Sequence, residues 1–280
     1  MQTIKLFSEI LGKQIEIPEK PSRIVSLAPA ITDMLYTLEA WERVAGVSIF
    51  CNKPPQAKEK PRVGSYYKVN YKLLEKLKPD LILVTTGAQR DRIYELEEKG
   101  FTVYPIPLPT DLNMLISNII TLGHVIGEKR KAYKIANKLT SMLHDLKSEK
   151  KIGTVYYEID LGGPTSIGGI TYVDHAFNVI GLENIFSDLR TTWIVNPDTS
   201  YILKKNPDIV LYEKKPFDPS SKEKIIARLE ERGLGQLEAV REGRIMILEP
   251  DTLAHYGPSL LDDLQAIKYR AIELLQGKKK

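Results

Sequence analysis

The residues best placed to meet a ligand are aromatic and sit in turns. Trp193 lies in Arg190-Thr191-Thr192-Trp193 and is followed by Asn196-Pro197-Asp198. An isolated aromatic ordinarily packs in a core, but a large ring in so polar a context offers a flat contact surface instead. Tyr66 stands beside Gly64 and Ser65, with Tyr67 next to it. Gln89 ends the loop that begins Thr85-Thr86-Gly87-Ala88 after an apolar run. There an α/β protein presents ligand contacts, or the same side chain caps a helix or faces solvent. His255 and Tyr256 precede Gly257-Pro258 in a loop. His255 can hydrogen-bond a ligand, but a lone histidine is no metal constellation, and a structural or surface role outweighs ligation.

Covalent chemistry finds no matching constellation. Gly168-Gly169 is not a dinucleotide fingerprint, and Gly162-Gly163-Pro164-Thr165 is not a phosphate-binding loop. Neither a zinc-protease helix nor a nucleophile elbow is present. Cys51 is the single cysteine, which excludes an intrachain disulfide and a multi-cysteine metal site. It reads as a small half-buried side chain rather than a reactive thiol, since nothing near it argues for a lowered pKa. The reading is of a binder and not an enzyme, with no resident cofactor or metal.

The elements that must position these residues alternate. Edge strand 14–17 precedes strand 24–27, and helix 30–38 follows, with Pro29 at its entrance where no amide partner is lost. Strand 44–49, helix 71–77, strand 81–84, helix 91–99 closed by Gly100, and strand 101–104 continue the pattern. Residues 111–146 change character: apolar residues recur at helical spacing with no strand, and Gly123 and Gly127 favour a helix to Ile126 and a second from Glu128. Alternation then resumes with strand 152–159, helix 172–180, strand 209–212, helices 222–227 and 235–240, strand 244–248 and a closing helix 260–275. Residues 74–84 and 202–212 echo one another as a helix end, Pro-Asp, and an apolar strand. The pattern predicts two α/β halves around a helical middle.

Size and charge agree. A chain of 280 residues supports two cores. The formal charge of +4 is interleaved with acids and gathers only at Lys278-Lys279-Lys280, which gives no nucleic-acid interface. No apolar run reaches membrane-spanning length, and residues 1–9 lack the regions of a secretory leader.

Pro21-Ser22-Arg23-Ile24-Val25-Ser26-Leu27-Ala28-Pro29 resembles the substrate-binding proteins of ABC importers for vitamin B12, haem and iron-siderophore complexes. The resemblance continues through Ile31-Thr32-Asp33, Lys78-Pro79-Asp80-Leu81-Ile82, Gly181-Leu182-Glu183-Asn184-Ile185-Phe186, Asn206-Pro207-Asp208-Ile209-Val210 and Gly257-Pro258, and is nearest to the vitamin B12 member. It implies two Rossmann-like lobes bridged by a long helix, the helical-backbone class III binding-protein fold, with lobes at 1–127 and 149–280 and the bridge at 128–148. It also implies a monomer that captures cobalamin or a related corrinoid in the cleft between the lobes and hands it to an ABC permease with its ATPase subunits. A leader or lipid anchor outside this sequence would place the chain on the extracytoplasmic side. The alternatives are a haem or ferric-siderophore receptor, and a soluble sensor or interaction protein on the same scaffold. By resemblance Phe50, Tyr66 and Trp193 meet the corrinoid, with Phe50 replacing a tyrosine and Tyr66 a tryptophan; Phe50 is equally at home in a core. Asp33 matches the first-lobe acid that docks the permease. Asp174 is the nearest acid to its second-lobe counterpart, His175 standing where the acid is expected.

Overall fold

Strands Ile24–Ser26 (β3) and Leu81–Thr85 (β5) are buried at every position. Such continuous burial is what a parallel strand covered on both faces requires. In the computed structural model, which describes residues 2–65, 67–87 and 89–277, the chain forms two compact units. The first takes residues up to 109, 113–141 and 255–259; the second takes 110–112, 142–254 and 260 onward.

The first unit begins with an antiparallel pair, Thr3–Ser8 (β1) and Lys13–Pro18 (β2). Only the second of these shows in the residue pattern, because Phe7, 59% exposed, interrupts the alternation of Ile4 and Leu6. After β3 come helix Pro29–Thr37 (α1), strand Val44–Val47 (β4), helix Tyr71–Leu77 (α2), β5, helix Arg90–Glu98 (α3) and strand Val103–Ile106 (β6). The sheet order is β4-β3-β5-β6, all parallel. Val25, Leu27, Leu74, Ile82, Ile93 and Leu96 form part of its core. Helix Leu112–Val125 (α4) stops before Gly127, whose φ of +73° belongs to the left-handed region. A Cβ there would meet the Glu19 carbonyl at 2.6 Å. Arg43 binds the freed Ile126 carbonyl at 2.8 Å and pairs with Glu128 at 2.9 Å. Helix Lys129–Leu146 (α5) follows as a separate element, and the division between units falls inside it, after residue 141.

The second unit is a mixed sheet. Strand Gly153–Asp160 (β7) pairs antiparallel with Pro164–Ile167 (β8); helix Tyr172–Val179 (α6) leads to the short strands Leu182–Asn184 (β9) and Ile194–Val195 (β10). Helix Thr199–Lys205 (α7), strand Ile209–Glu213 (β11), helices Lys222–Glu231 (α8) and Glu238–Arg241 (α9), strand Ile245–Leu248 (β12) and helix Leu260–Gln276 (α10) complete it. The order is β10-β8-β7-β11-β12, with β9 beside the start of β7. The single helix expected at 235–240 is a 3-10 turn, Leu234–Gln236, and the one turn of α9, entered from Gly233 at a φ of +85°.

The Pro-Asp echo is a repeated structural device. Helices α2 and α7 are each seven residues, N-capped by the side chains of Asn70 and Asp198 and ended by Lys78 and Asn206 in left-handed conformation. Asp80 then accepts the N–H groups of Ser22 (2.7 Å) and Arg23 (3.0 Å) just before β3. Asp208 accepts the N–H and hydroxyl of Thr154 in β7, both at 2.9 Å. Each carboxylate ties the strand that follows it to the strand beside it.

A third carboxylate anchors the last loop of the second unit. Glu213, fully buried at the end of β11, accepts the N–H groups of Thr252, Leu253 and Ala254 and the hydroxyl of Tyr157. Burial pushes its pKa up to about 7, against the opposing pull of those donors.

Two outcomes follow for stability. Asp208→Ala strands two donors of Thr154 and is expected to lower unfolding free energy by about 1–3 kcal/mol, read as a lower urea midpoint at unchanged slope. Glu213 has a folded pKa of about 7 against an ordinary 4.5. The folded state therefore holds the extra proton, and its contribution is fullest below 4.5 and is lost as pH rises to about 7. The urea midpoint of wild type, relative to Glu213→Gln, should fall across that window at up to ~1.4 kcal/mol per pH unit.

Candidate functional site

Parallel α/β sheets present ligand contacts at the carboxyl ends of their strands, and in the first unit that edge is shaped by the chain after β4. Residues 61–64 run on beside β4: Val47 N–H donates to the Pro61 carbonyl, Val63 N–H to Val47, and Ile49 N–H to Gly64, at 2.8–2.9 Å. Gly64 then turns with a φ of +131°, and a Cβ there would sit 2.2 Å from the Lys68 carbonyl. Only glycine lets residues 64–69 close on themselves. Ser65 stiffens the turn, its hydroxyl accepting the N–H groups of Tyr67 (3.2 Å) and Lys68 (3.1 Å). Beside this turn lies a hollow of about 620 Å³, lined by Ile49, Ser65, Lys68, Val69, Tyr71 and Lys72 among others.

The lining combines apolar side chains with the cations Arg62, Lys68 and Lys72. Arg62 is committed to structure, donating to the carbonyls of Ser48 and Cys51 at 2.8 Å each. Lys68 and Lys72 are exposed and make no ion pair among the described residues. Tyr71 donates its hydroxyl to Glu95, and burial together with that carboxylate pushes the phenol pKa up to about 12, so the group is a neutral donor. The Lys99 ammonium lies 4.6 Å from the Tyr71 ring centre. The arrangement suits an apolar ligand that carries anionic groups. Its aromatic and basic members, Tyr71, Lys68 and Lys72, are easily read in the sequence as a helix start and two solvated charges.

The residues singled out by sequence are distributed as follows. Phe50 is half-buried just past β4, its N–H held by the Ser48 hydroxyl at 3.3 Å. Tyr67 is 75% exposed at the tip of the 64–69 turn; Tyr66 lies outside the described residues. Gln89 is 1% exposed and occupies the N-cap position of α3, but its side chain makes no capping bond and does not meet solvent. Its carboxamide donates to the Leu27 carbonyl at 2.5 Å and accepts the Thr85 N–H at 3.1 Å, clamping the ends of β3 and β5. Trp193 belongs to the second unit, half-buried before β10, its carbonyl bound by the Gly168 N–H at 3.1 Å. Cys51 is fully buried rather than half-buried, in contact with Ser48 and Thr32, and burial raises its thiol pKa. No cluster able to hold a metal ion occurs among the described residues.

His255, Tyr256 and Asp33 come together inside the first unit. The segment 255–259 returns to it from the far end of the sequence. His255 is buried with Nε2 2.9 Å from Asp33 Oδ2, an atom that also accepts the Ser259 N–H at 3.0 Å. Burial would raise the Asp33 pKa, but the His255 contact and the Ser259 amide outweigh it and hold the carboxyl below its ordinary range. Gly257 permits the approach, since a Cβ would lie 2.5 Å from the same oxygen. Tyr256 is half-buried, its phenol pushed up to about 12 by burial. Asp174, in α6 of the second unit, is 6% exposed; its two oxygens accept from Asn184 (3.0 Å) and Asn178 (3.1 Å), and burial raises its pKa. Each of the two acids linked by resemblance to permease docking thus makes internal hydrogen bonds, Asp33 through Oδ2 and Asp174 through both oxygens.

Residues 24–252 match the periplasmic binding protein family. A relative from Bacillus subtilis, the uncharacterized ABC transporter substrate-binding lipoprotein YvrC, is 26% identical over 266 residues, covering 91% of this chain and 82% of that protein. A vitamin B12-binding protein of Vibrio cholerae is 26% identical over 258 residues, 89% of each. The crystal structure of a periplasmic haem-binding protein from Pseudomonas aeruginosa aligns with a TM-score of 0.79 at 22% identity, over 90% of this chain and 93% of that one, a likeness of fold. The fold is accordingly the α/β, two-lobed, helix-connected class III architecture. No helix among the described residues is long and apolar enough to cross a membrane. The chain belongs to the periplasmic binding protein family, an extracytoplasmic and non-catalytic class, as an ABC-importer component that delivers a small ligand to a membrane permease; it is related to a vitamin B12-binding protein and shares its fold with a haem-binding one.

Proposed function

We propose that this receptor takes up an anionic, largely apolar metal chelate, with haem as the leading candidate and a ferric chelate in the same charge class. The observation that supports this reading is the hollow at the carboxyl edge of the first unit, where Ile49, Val69 and Tyr71 offer apolar surface beside the exposed Lys68 and Lys72, which make no ion pair among the described residues. Haem is a flat apolar macrocycle with two carboxylates, which need cations when they leave bulk water. Apolar contact supplies most of the affinity, and the lysines orient the ligand.

A corrinoid is the second reading, favoured by the vitamin B12-binding relative. Cobalamin is rimmed mainly by neutral amides, which call for hydrogen-bonding partners more than for paired cations. The two ligands therefore predict opposite responses to charge reversal. Ligand capture stabilises whichever conformation binds better and requires no bond making.

Native mass spectrometry against haem, cobalamin, cobinamide and ferric siderophores is expected to give one haem per chain. The double change Lys68→Glu and Lys72→Glu should weaken haem binding at least ~10-fold, equivalent to about 1.4 kcal/mol. Binding should also weaken with added salt. Tight cobalamin binding that is indifferent to the double change, with no haem complex, would replace this reading by the corrinoid one.

A further inference from the structure

The cationic excess of the chain is not confined to its C-terminal lysines. Between residues 129 and 144, Lys129, Arg130, Lys131, Lys134 and Lys138 occur with no acidic residue among them. All five lie on α5, in the part that belongs to the first unit. Ala132, Ala136 and Leu139 bury one face of that helix. Lys129, Arg130, Lys134 and Lys138 are exposed on the other.

The placement works against the stability of the helix in two ways. The amino end of a helix carries partial positive charge and favours acids, yet α5 opens on Lys129-Arg130-Lys131 with no acid in its first turn. Residues four apart are neighbours on a helix, and like charges there repel; Arg130, Lys134 and Lys138 follow one another at that spacing. Lys131 is relieved by Glu39 at 2.8 Å and Glu128 at 3.6 Å, and Glu128 is shared with Lys20 and Arg43. The other four cations make no ion pair among the described residues. A helix face that served solubility alone would gain from acids interspersed at the same spacing. Folding of α5 therefore does not explain the stripe, and a rule broken without local gain points to a use outside the fold.

The form of the stripe indicates its partner. Arg130, Lys134 and Lys138 span about 12 Å along one row of the helix, and their long side chains suit a plane of many mobile anions. Tyr133, 45% exposed, shares this face, its ring edge-on to His124 at 5.8 Å. Tyrosine settles at the depth of lipid headgroups, with its ring and hydroxyl both satisfied there. The apolar face of α5 is already packed in the first unit, so the contact is adsorption without insertion of the helix.

We infer that the exposed face of α5 adsorbs to the anionic headgroups of a phospholipid bilayer. Delivery to a membrane permease gives the contact a purpose: a weak, salt-sensitive hold keeps the receptor near the surface where its partner sits. The inference does not depend on which ligand is carried.

Flotation of the full chain with vesicles tests it, without any ligand. Wild type is expected to bind vesicles of phosphatidylglycerol with phosphatidylcholine and to ignore phosphatidylcholine alone. Raising salt from about 0.1 M to about 1 M, which shortens the screening length from about 10 Å to about 3 Å, should release it. Arg130→Gln, Lys134→Gln and Lys138→Gln together should weaken vesicle binding about 10-fold or more. Tm and haem capture should stay at wild-type values, since glutamine keeps the helix propensity. The parallel change of Lys278, Lys279 and Lys280 to Gln should cost less. Wild type that fails to bind the anionic vesicles, or binds the neutral ones equally, overturns the inference. So does an α5 variant within about twofold of wild type, or a larger loss from the C-terminal change. Salt-sensitive retention on heparin without vesicle binding would assign the stripe to a macromolecular polyanion and overturn the lipid contact.

Discussion

A carboxylate placed at the mouth of a parallel strand is the contact on which each unit depends. Asp80 and Asp208 take main-chain N–H groups from the neighbouring strand at its start. In doing so they fix which residue of β5 lies beside which of β3, and likewise for β11 and β7. Register in a parallel sheet is otherwise set only by packing, and a slip by one residue would exchange the two faces. Because both faces are buried, such a slip would not expose charge and would be weakly resisted by the apolar pattern. The Pro-Asp step supplies the missing specification, and a carboxylate in the same place does so in both halves. Everything at the opposite, carboxyl edge inherits its position from that register.

The polar groups of the carboxyl edge are mostly used up in holding it. Gln89 joins the ends of β3 and β5, Arg62 closes the turn after β4, and Glu213 gathers three consecutive amides of the 252–254 loop. Burying such groups is costly unless every donor and acceptor is met, so these side chains are poor ligands and good braces. The residues left over are of a different kind: exposed aromatics and lysines on turns whose backbones are already satisfied. That division separates rigid support from adaptable contact, and preorganisation of this sort limits what a ligand must order on arrival.

Much of the fold was legible because it rests on local signals. The apolar runs 81–84 in β5 and 209–212 in β11, the proline at the head of α1, and Gly127 between α4 and α5 each act within a few residues. The division of the chain was less accessible. Nothing near residue 141 marks a boundary, because α5 continues unbroken through it, and the return of 255–259 to the first unit depends on Asp33, over two hundred positions earlier. The candidate site divided in the same way. Tyr67 and Phe50 stand out as aromatics beside glycine or strand ends, whereas the burial of Gln89, His255 and Asp33 is decided by partners distant in sequence. A polar residue in a loop looks available until the group that claims it is known.

Asp33 shows why this matters for reading the chain by its motifs. By motif alone it reads as a carboxylate favoured by the helix terminus, although it stands beyond the first turn of α1, and the same motif marks a docking acid by resemblance. The folded chain assigns the group a third use. His255 and Ser259 bind a single oxygen, and Gly257 leaves just enough space for them. Removing the carboxylate would leave a buried imidazole and an amide without their acceptor, so Asp33 is required for the fold whatever happens at the surface. The acid at the matching position is fixed for a structural reason, and its presence alone says nothing about the partner.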